Sequence, residues 1–155
     1  MPHIHEKIDF TSEVFIVREG RVLLRLHDKY HIWLSVGGHI ELDEDPVEAV
    51  LREAKEEVGL DIELIGSCTE TGDARPGYRE LLVPRGMNRH RINDTHEHIT
   101  FVYFARSASG EVVAGGNDAS PTWRWCSRED LDDPALQLQS NIKYYAIAAL
   151  EAASE

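Results

Sequence analysis

The sequence predicts an α/β fold in which a sheet is covered on both faces by helices. Two observations carry this. Apolar, β-branched runs recur along the chain, and one amphipathic helix interrupts them in the middle while another closes them at the end. Residues 11–18 (Thr-Ser-Glu-Val-Phe-Ile-Val-Arg) and 21–26 (Arg-Val-Leu-Leu-Arg-Leu) read as strands, with Glu19-Gly20 between them as a two-residue hairpin turn. Residues 32–36 form a short apolar run that stops at Gly37-Gly38. A helix is predicted over 45–58: Asp45 is an N-cap, Pro46 takes the first helical position, Glu48 completes a capping box, and Gly59 is a C-terminal stop. Residues 61–72 read as a further strand. The run 98–106 (His-Ile-Thr-Phe-Val-Tyr-Phe-Ala-Arg) is so dense in β-branched and aromatic residues that it is placed at the centre of the sheet, buried on both faces. Thr122-Trp123-Arg124-Trp125-Cys126 alternates and reads as the last strand, and Ser127 with Glu129 and Asp130 can start a short helix. Residues 140–153 read as a terminal helix capped by Ser140, with Ile142, Tyr145, Ala146, Ala149 and Leu150 as its apolar stripe.

A length of 155 residues suits a single domain, 1–155, large enough to bury a core without disulfides. The formal net charge of −12 argues against gripping long nucleic acid or an anionic membrane. Cys68 and Cys126 make no framework and no CxxC pair, which fits a reduced, cytoplasmic compartment. No apolar run approaches the length of a membrane span, and the N-terminal residues lack an apolar signal core.

The informative stretch is 38–60. On a helical wheel of about 100° per residue, Val47, Val50, Leu51, Ala54 and Val58 form one buried stripe. Glu53, Glu56 and Glu57 share a second arc. Like charges at those spacings destabilise a helix by about 0.2–0.5 kcal/mol each, and Glu56 and Glu57 lie near the negative end of the helix dipole. Such violations are expected where function compensates for them. A divalent cation would do so. Carboxylate-only ligation favours Mg²⁺ or Mn²⁺ over zinc, and magnesium shares its remaining positions with substrate phosphates. A solvated acidic face is the competing reading of the carboxylates alone.

The glycines and the arginine shift that balance. Gly38, Glu44, Arg52, Glu53, Ala54, Glu56, Glu57, Gly59 and Leu60 stand at the spacing of a known signature: Gly, five residues, Glu, seven residues, Arg-Glu, an aliphatic residue, any residue, Glu-Glu, any residue, Gly, aliphatic. The segment resembles the Nudix hydrolase family, with Ala54 smaller than the usual aliphatic residue. The resemblance implies an α/β/α sandwich with a mixed β-sheet flanked by helices. It implies hydrolysis of a nucleoside diphosphate linked to another moiety, with Mg²⁺ or Mn²⁺. By the same resemblance Glu53, Glu56 and Glu57 would be metal ligands, Gly38 would give a backbone carbonyl, Arg52 would hold the helix carboxylates in place, and Glu44 would brace the loop through Arg52. Val36 stands where the family usually has proline.

Many members of the family add a carboxylate from a later loop as ligand or general base. Asp118, in Gly115-Gly116-Asn117-Asp118, is the first candidate here, and Glu97 is its rival. Arg25 matches a phosphate-contacting position of some triphosphate-cleaving members, and Asn141 a base-reading position of others; rim and helix-start roles are the alternatives. Residues 73–93 read as a long irregular segment. It contains Arg75, Arg79, Arg85, Arg89 and Arg91, of which Arg75 and Arg79 are candidate phosphate contacts, against a dimer contact or a solvated loop. His90, His96 and His98 have no cysteine partner and match no common zinc spacing, so strand-edge or substrate-contact roles are preferred. His39, at a freely varying signature position, is read as facing solvent or the cleft.

The expected activity is therefore that of a metal-dependent pyrophosphohydrolase of a small nucleotide. A nucleoside triphosphate is the first substrate, tilted by Arg25 and Asn141. ADP-ribose and dinucleoside polyphosphates are the alternatives, and a homodimer is possible. A non-catalytic nucleotide sensor is the rival class, and the intact glutamates oppose it. Isoprenoid diphosphate isomerisation would need a cysteine beside the site, and neither cysteine lies in the signature.

Overall fold

The computed structural model describes residues 6–113 and 122–155. Its described strands are β1 (Ile8–Arg18), β2 (Arg21–Leu26), β3 (Trp33–Leu34), β4 (Val36–His39), β5 (Ile62–Ile65), β6 (Gly86–Asn93), β7 (His96–Ser107) and β8 (Trp123–Ser127); the α-helices are α1 (Pro46–Val58) and α2 (Ser140–Ala153), and the short helix expected after Ser127 is a 3-10 turn, Asp130–Asp132, followed by another, Pro134–Leu136. At the centre β1 and β7 run parallel, in register from Ile8 opposite Glu97 to Val17 opposite Arg106. The outer edge of β1 is shared: β4 pairs antiparallel with its first half and β2 with its end. The outer edge of β7 is likewise shared by β6 and β5, both antiparallel. β2 in turn carries β3 and β8. The sheet is mixed because one long parallel pair is flanked by antiparallel neighbours.

The hairpin turn forms where the sequence places it. Glu19 and Gly20 have φ of 48° and 74°, the left-handed pair that a two-residue turn needs to match strand twist. The β7 centre is buried on both faces: Val102 and Phe104 join Phe15 and Ile142 in a core under α2, while Tyr103 and Ala105 join Val14, Ile16, Val50 and Val58 in a core under α1. Val36, in place of the usual proline, is fully buried in the α1-side core.

Both helices depart in detail from expectation. In α1 the Asp45–Glu48 capping box is complete, and Gly59 ends the helix at φ 69°. Asp45→Ala is expected to cost about 1 kcal/mol, read as a lower urea midpoint with unchanged slope. The buried face, however, runs through Ala49, Val50, Ala54 and Val58, and Leu51 is 39% exposed. The stripe is rotated toward Ala49, whose small side chain lets α1 lie close on the sheet. In α2 the cap position belongs to Gln139 and not to Ser140, and no side chain caps it. Ser140 is the first helical residue instead. Its buried residues are Ile142, Ala146, Ala149 and Ala152, while Tyr145 and Leu150 pack half-buried on the same core.

Two stretches differ more. The strand expected over 61–72 is only Ile62–Ile65, ending at Gly66, whose φ is 146°. The segment 73–93 is not irregular throughout: its last eight residues are β6, an edge strand on β7. Among the described residues no helix is long and apolar enough to cross a membrane.

Candidate active site

β4 brings Gly37 and Gly38 against Glu13 and Ser12 of β1. α1 then crosses beside these glycines and presents Glu53 to Gly38 and Glu57 to the Gly37 N–H. A Cβ on Gly38 would lie 2.7 Å from Cδ of Glu53, and one on Gly37 would lie 2.7 Å from Cα of Glu13. The two glycines are therefore spaces that the neighbouring groups use. Gly38→Ala is expected to displace the Glu53 carboxylate and lower turnover by about 10²-fold, the scale of a 1 Å misplacement. Retained far-UV circular dichroism beside lost steady-state activity is the check.

Arg52 ties the signature together. Its Nε donates to Glu44 Oε2 (3.0 Å) and its Nη2 to Glu44 Oε1 (2.6 Å), a two-pronged, charge-assisted pair. Nη2 also donates to the His39 carbonyl (3.0 Å). Nη1 donates to Glu53 Oε1 (2.9 Å) and Glu56 Oε2 (3.1 Å). One side chain thus joins the loop before the helix, the backbone after β4, and two helix carboxylates. Glu44 accepts from the Glu41 N–H as well (2.8 Å), and the arginine holds its carboxyl below the usual range.

The three glutamates do not share one environment. Glu53 and Glu57 are 13% and 18% exposed at the side chain, whereas Glu56 is 61% exposed. Burial pushes the Glu57 carboxyl up to about 8; Arg25 and the Gly37 N–H oppose this, and the Glu53 charge reinforces it. Glu57 Oε2 is buried without a hydrogen-bond partner, 3.9 Å from Arg25 Nε. A buried carboxylate oxygen of this kind, beside a second carboxylate and a glycine edge that admits close approach, suits a hard divalent cation. The donor set is oxygen only, as magnesium or manganese requires.

A cleft of about 1100 Å³ is lined by Arg25, His27 and Tyr30, by Gly37 and Gly38, and by Asn141 at the start of α2; Glu53, Glu56 and Glu57 are not among its lining residues. It is large enough to admit a small-molecule ligand. Arg25, Gly38 and Asn141 therefore share one cavity wall, although they come from different elements. Arg75 and Arg79 do not line it. Arg79 pairs with Asp45 (3.1 Å) at the N-terminus of α1, and Arg75 pairs with Asp73 (3.4 Å) and lies over the Tyr78 ring. Of the other arginines in that stretch, Arg85 lies over Phe104, Arg89 pairs with Glu97, and Arg91 reaches the cleft. Glu97 is thereby engaged at the start of β7, where Arg89 holds its carboxyl below the usual range. Asp118 lies outside the described residues.

Sequence reasoning missed Glu13. It sits in the cleft wall on β1, accepts from Ser35 Oγ (2.6 Å), and burial raises its carboxyl pKa. The available signal was a polar trio, Thr11-Ser12-Glu13, opening a strand that is otherwise apolar. It also missed Asp9, buried at the far end of the same face.

A carboxylate-bearing helix fastened by an arginine to a glycine edge, over a mixed sheet with an open cleft, is the arrangement that a metal-dependent hydrolase of the resembled class would need. The chain belongs to the Nudix hydrolase family: the family model for the NUDIX domain matches residues 8–149. A crystal structure of a NUDIX-family hydrolase from Clostridium perfringens is 38% identical, covers 92% of this chain and 96% of its own, and superposes with a TM-score of 0.84. An RNA pyrophosphohydrolase of a Marinomonas species is 29% identical over 122 residues, spanning 74% of this chain and 71% of that protein. One from Gluconacetobacter diazotrophicus is 32% identical over 116 residues, spanning 72% of this chain and 66% of that protein.

Proposed function

We propose that the chain, working as one cytoplasmic domain, hydrolyses a nucleoside triphosphate to two phosphorylated products with Mg²⁺ or Mn²⁺. The observation that carries this reading is the shared cleft lining, in which Arg25 touches both the cavity and Glu57 and Asn141 lines the same cavity. Glu53, Glu56, Glu57 and the Gly38 carbonyl would hold the ion. A bound divalent ion would offset phosphate charge and lower the pKa of a water. Arg52 keeps Glu53 and Glu56 oriented without touching substrate. Arg25 is placed to contact a phosphate oxygen. Asn141 and Glu13 offer amide and carboxyl groups to a base, the amide being able to pair two-pronged with a base edge. Asp118 is the proposed acceptor of the water proton.

A second reading, a 5′-triphosphate on RNA, draws on the two curated relatives and on Arg91 at the cleft mouth. It presents the same triphosphate chemistry on a longer leaving group. A panel of nucleoside triphosphates, a triphosphorylated RNA oligomer, ADP-ribose and a dinucleoside polyphosphate, scored by kcat/KM with Mg²⁺, tests both. The proposal requires a free triphosphate to rank first, with Arg25→Ala raising KM more than it lowers kcat. Preference for the RNA end selects the second reading, and binding of the panel without turnover refutes both.

A further inference from the structure

Four neighbouring strands bring a histidine or an aspartate to one level of the sheet. Asp9 on β1 is the register partner of His98 on β7, and His98 is the partner of His90 on β6. On the other side of β1, His39 of β4 pairs with Thr11, two residues from Asp9 and so on the same face. That face is the one α2 covers further along, where Phe15 and Phe104 meet Tyr145. The His98 ring lies 5.0 Å from His39, 5.6 Å from His90 and 5.2 Å from His96, each at a steep angle.

At the middle is a carboxylate. Asp9 is buried, and its Oδ2 lies 3.4 Å from His39 Nε2 and 3.1 Å from His96 Nε2. One ligand atom from each of Asp9, His39 and His98 falls within 4.8 Å of the others. Ligands at 2.0–2.1 Å from a tetrahedral zinc are about 3.3 Å apart, so the Asp9–His39 edge already has the needed length, and His98, within 4.8 Å of both, would have to close in to complete the triangle. His96 places Nδ1 3.2 Å from the Glu6 carbonyl, which orients its Nε2 toward Asp9. This is the outer support that metal-binding carboxylates commonly have.

We propose that Asp9, His39 and His98 form a second metal site, for a borderline divalent transition ion such as Zn²⁺, with His96 orienting the carboxylate. The donor chemistry separates it from the carboxylates of α1. Imidazole nitrogens select zinc, cobalt or nickel, while an all-oxygen set selects magnesium or manganese. The three residues come from β4, β1 and β7, so a bound ion would pin the centre of the sheet to its β4 edge. His39 and His98 also line the cleft, so an ion held there would be within reach of water or of an anionic oxygen in it. This inference stands apart from the choice of nucleotide substrate.

The test is metal binding itself. The full chain, stripped with chelator, is titrated calorimetrically with Zn²⁺, and with Co²⁺ while its visible absorption is followed. One equivalent of zinc should bind, with ligand-field absorption from cobalt. Both should persist in Glu57→Gln, and zinc affinity should fall by at least about tenfold in His98→Gln and in the partly exposed His39→Gln. Circular dichroism of each variant separates lost ligation from lost folding. Absence of stoichiometric zinc from the wild type overturns the proposal. So does binding that survives both histidine variants but is lost in Glu57→Gln, since the ion would then belong to α1.

Discussion

Glu57→Gln is expected to keep the fold and to lower kcat by about 10²–10³-fold, the scale of removing one charge-stabilising group from a preorganised site. Glutamine preserves the volume and removes the charge, and the protein already carries that position half-buried beside Arg25. The variant should also expose itself through pH. Burial raises the Glu57 carboxyl from 4.5 to about 8 without a cation. A carboxyl that holds its proton more tightly folded than unfolded contributes stability that is complete below 4.5 and is lost as pH rises through about 8. The metal-free wild type should therefore lose thermal stability from pH 5 to 9, and Glu57→Gln should lose less. Cation binding requires the ionised form, so Mg²⁺ affinity should rise with pH until about 8 and level above it. Calorimetry at several pH values reads this directly. Full turnover in Glu57→Gln, or a flat stability profile in the metal-free wild type, would sink the assignment. Glu56→Gln should be milder, because Glu56 is mostly exposed and shares Arg52 with Glu53.

Arg52→Ala is expected to lower both stability and activity. Removing the guanidinium leaves Glu44 and Glu53 facing each other in a partly buried space, at 10% and 13% exposure. Breaking such a pair costs about 3 kcal/mol, the low end for buried ion pairs because Arg52 itself is 23% exposed. Turnover should fall by about 10–100-fold, the usual consequence of losing a group that orients a ligand. Arg52→Lys separates the two effects. Lysine keeps one charge but cannot make the fork to Glu44 and the bond to the His39 carbonyl together, so stability should recover more than kcat. Equal recovery of both would show that charge alone matters here.

Much of this architecture was readable from the residues, for identifiable reasons. The capping box at Asp45 and Glu48 is a local chemical device, so it survives in the fold. The density of β7 reports burial on two faces, and the register with β1 confirms its central place. β6 was illegible because it is an edge strand: Met87-Asn88-Arg89-His90-Arg91-Ile92 is mostly exposed and lacks alternation, and its charges guard an open edge. Leu51 misled the helical wheel because amphipathic pattern gives the width of an apolar face and not which part of it the sheet covers. The site divides the same way. Arg52 and its partners lie close together in sequence and were foreseeable. The meeting of Arg25 with Glu57, of Glu13 with Ser35, and of Asp9 with His96 depends on strand pairing across long separations.

The parallel pairing of β1 with β7 also sets a timetable. Thr11 and Thr100, whose hydroxyls meet at 2.6 Å, are 89 residues apart in the chain. At about 5–20 residues per second, a ribosome takes several seconds to deliver the second partner after the first. During that interval Phe15 and Val17, which the finished fold buries under β7 and α2, have only the hairpin to β2 and the β4 edge for cover, whereas α1 can already shield Val14 and Ile16. Long-range parallel pairing is slow for the same loop-closure reason. One apolar face of β1 is therefore open to off-pathway contacts until β7 arrives, and variants that weaken the β1–β7 seam should lower soluble yield before they lower the stability of what has folded.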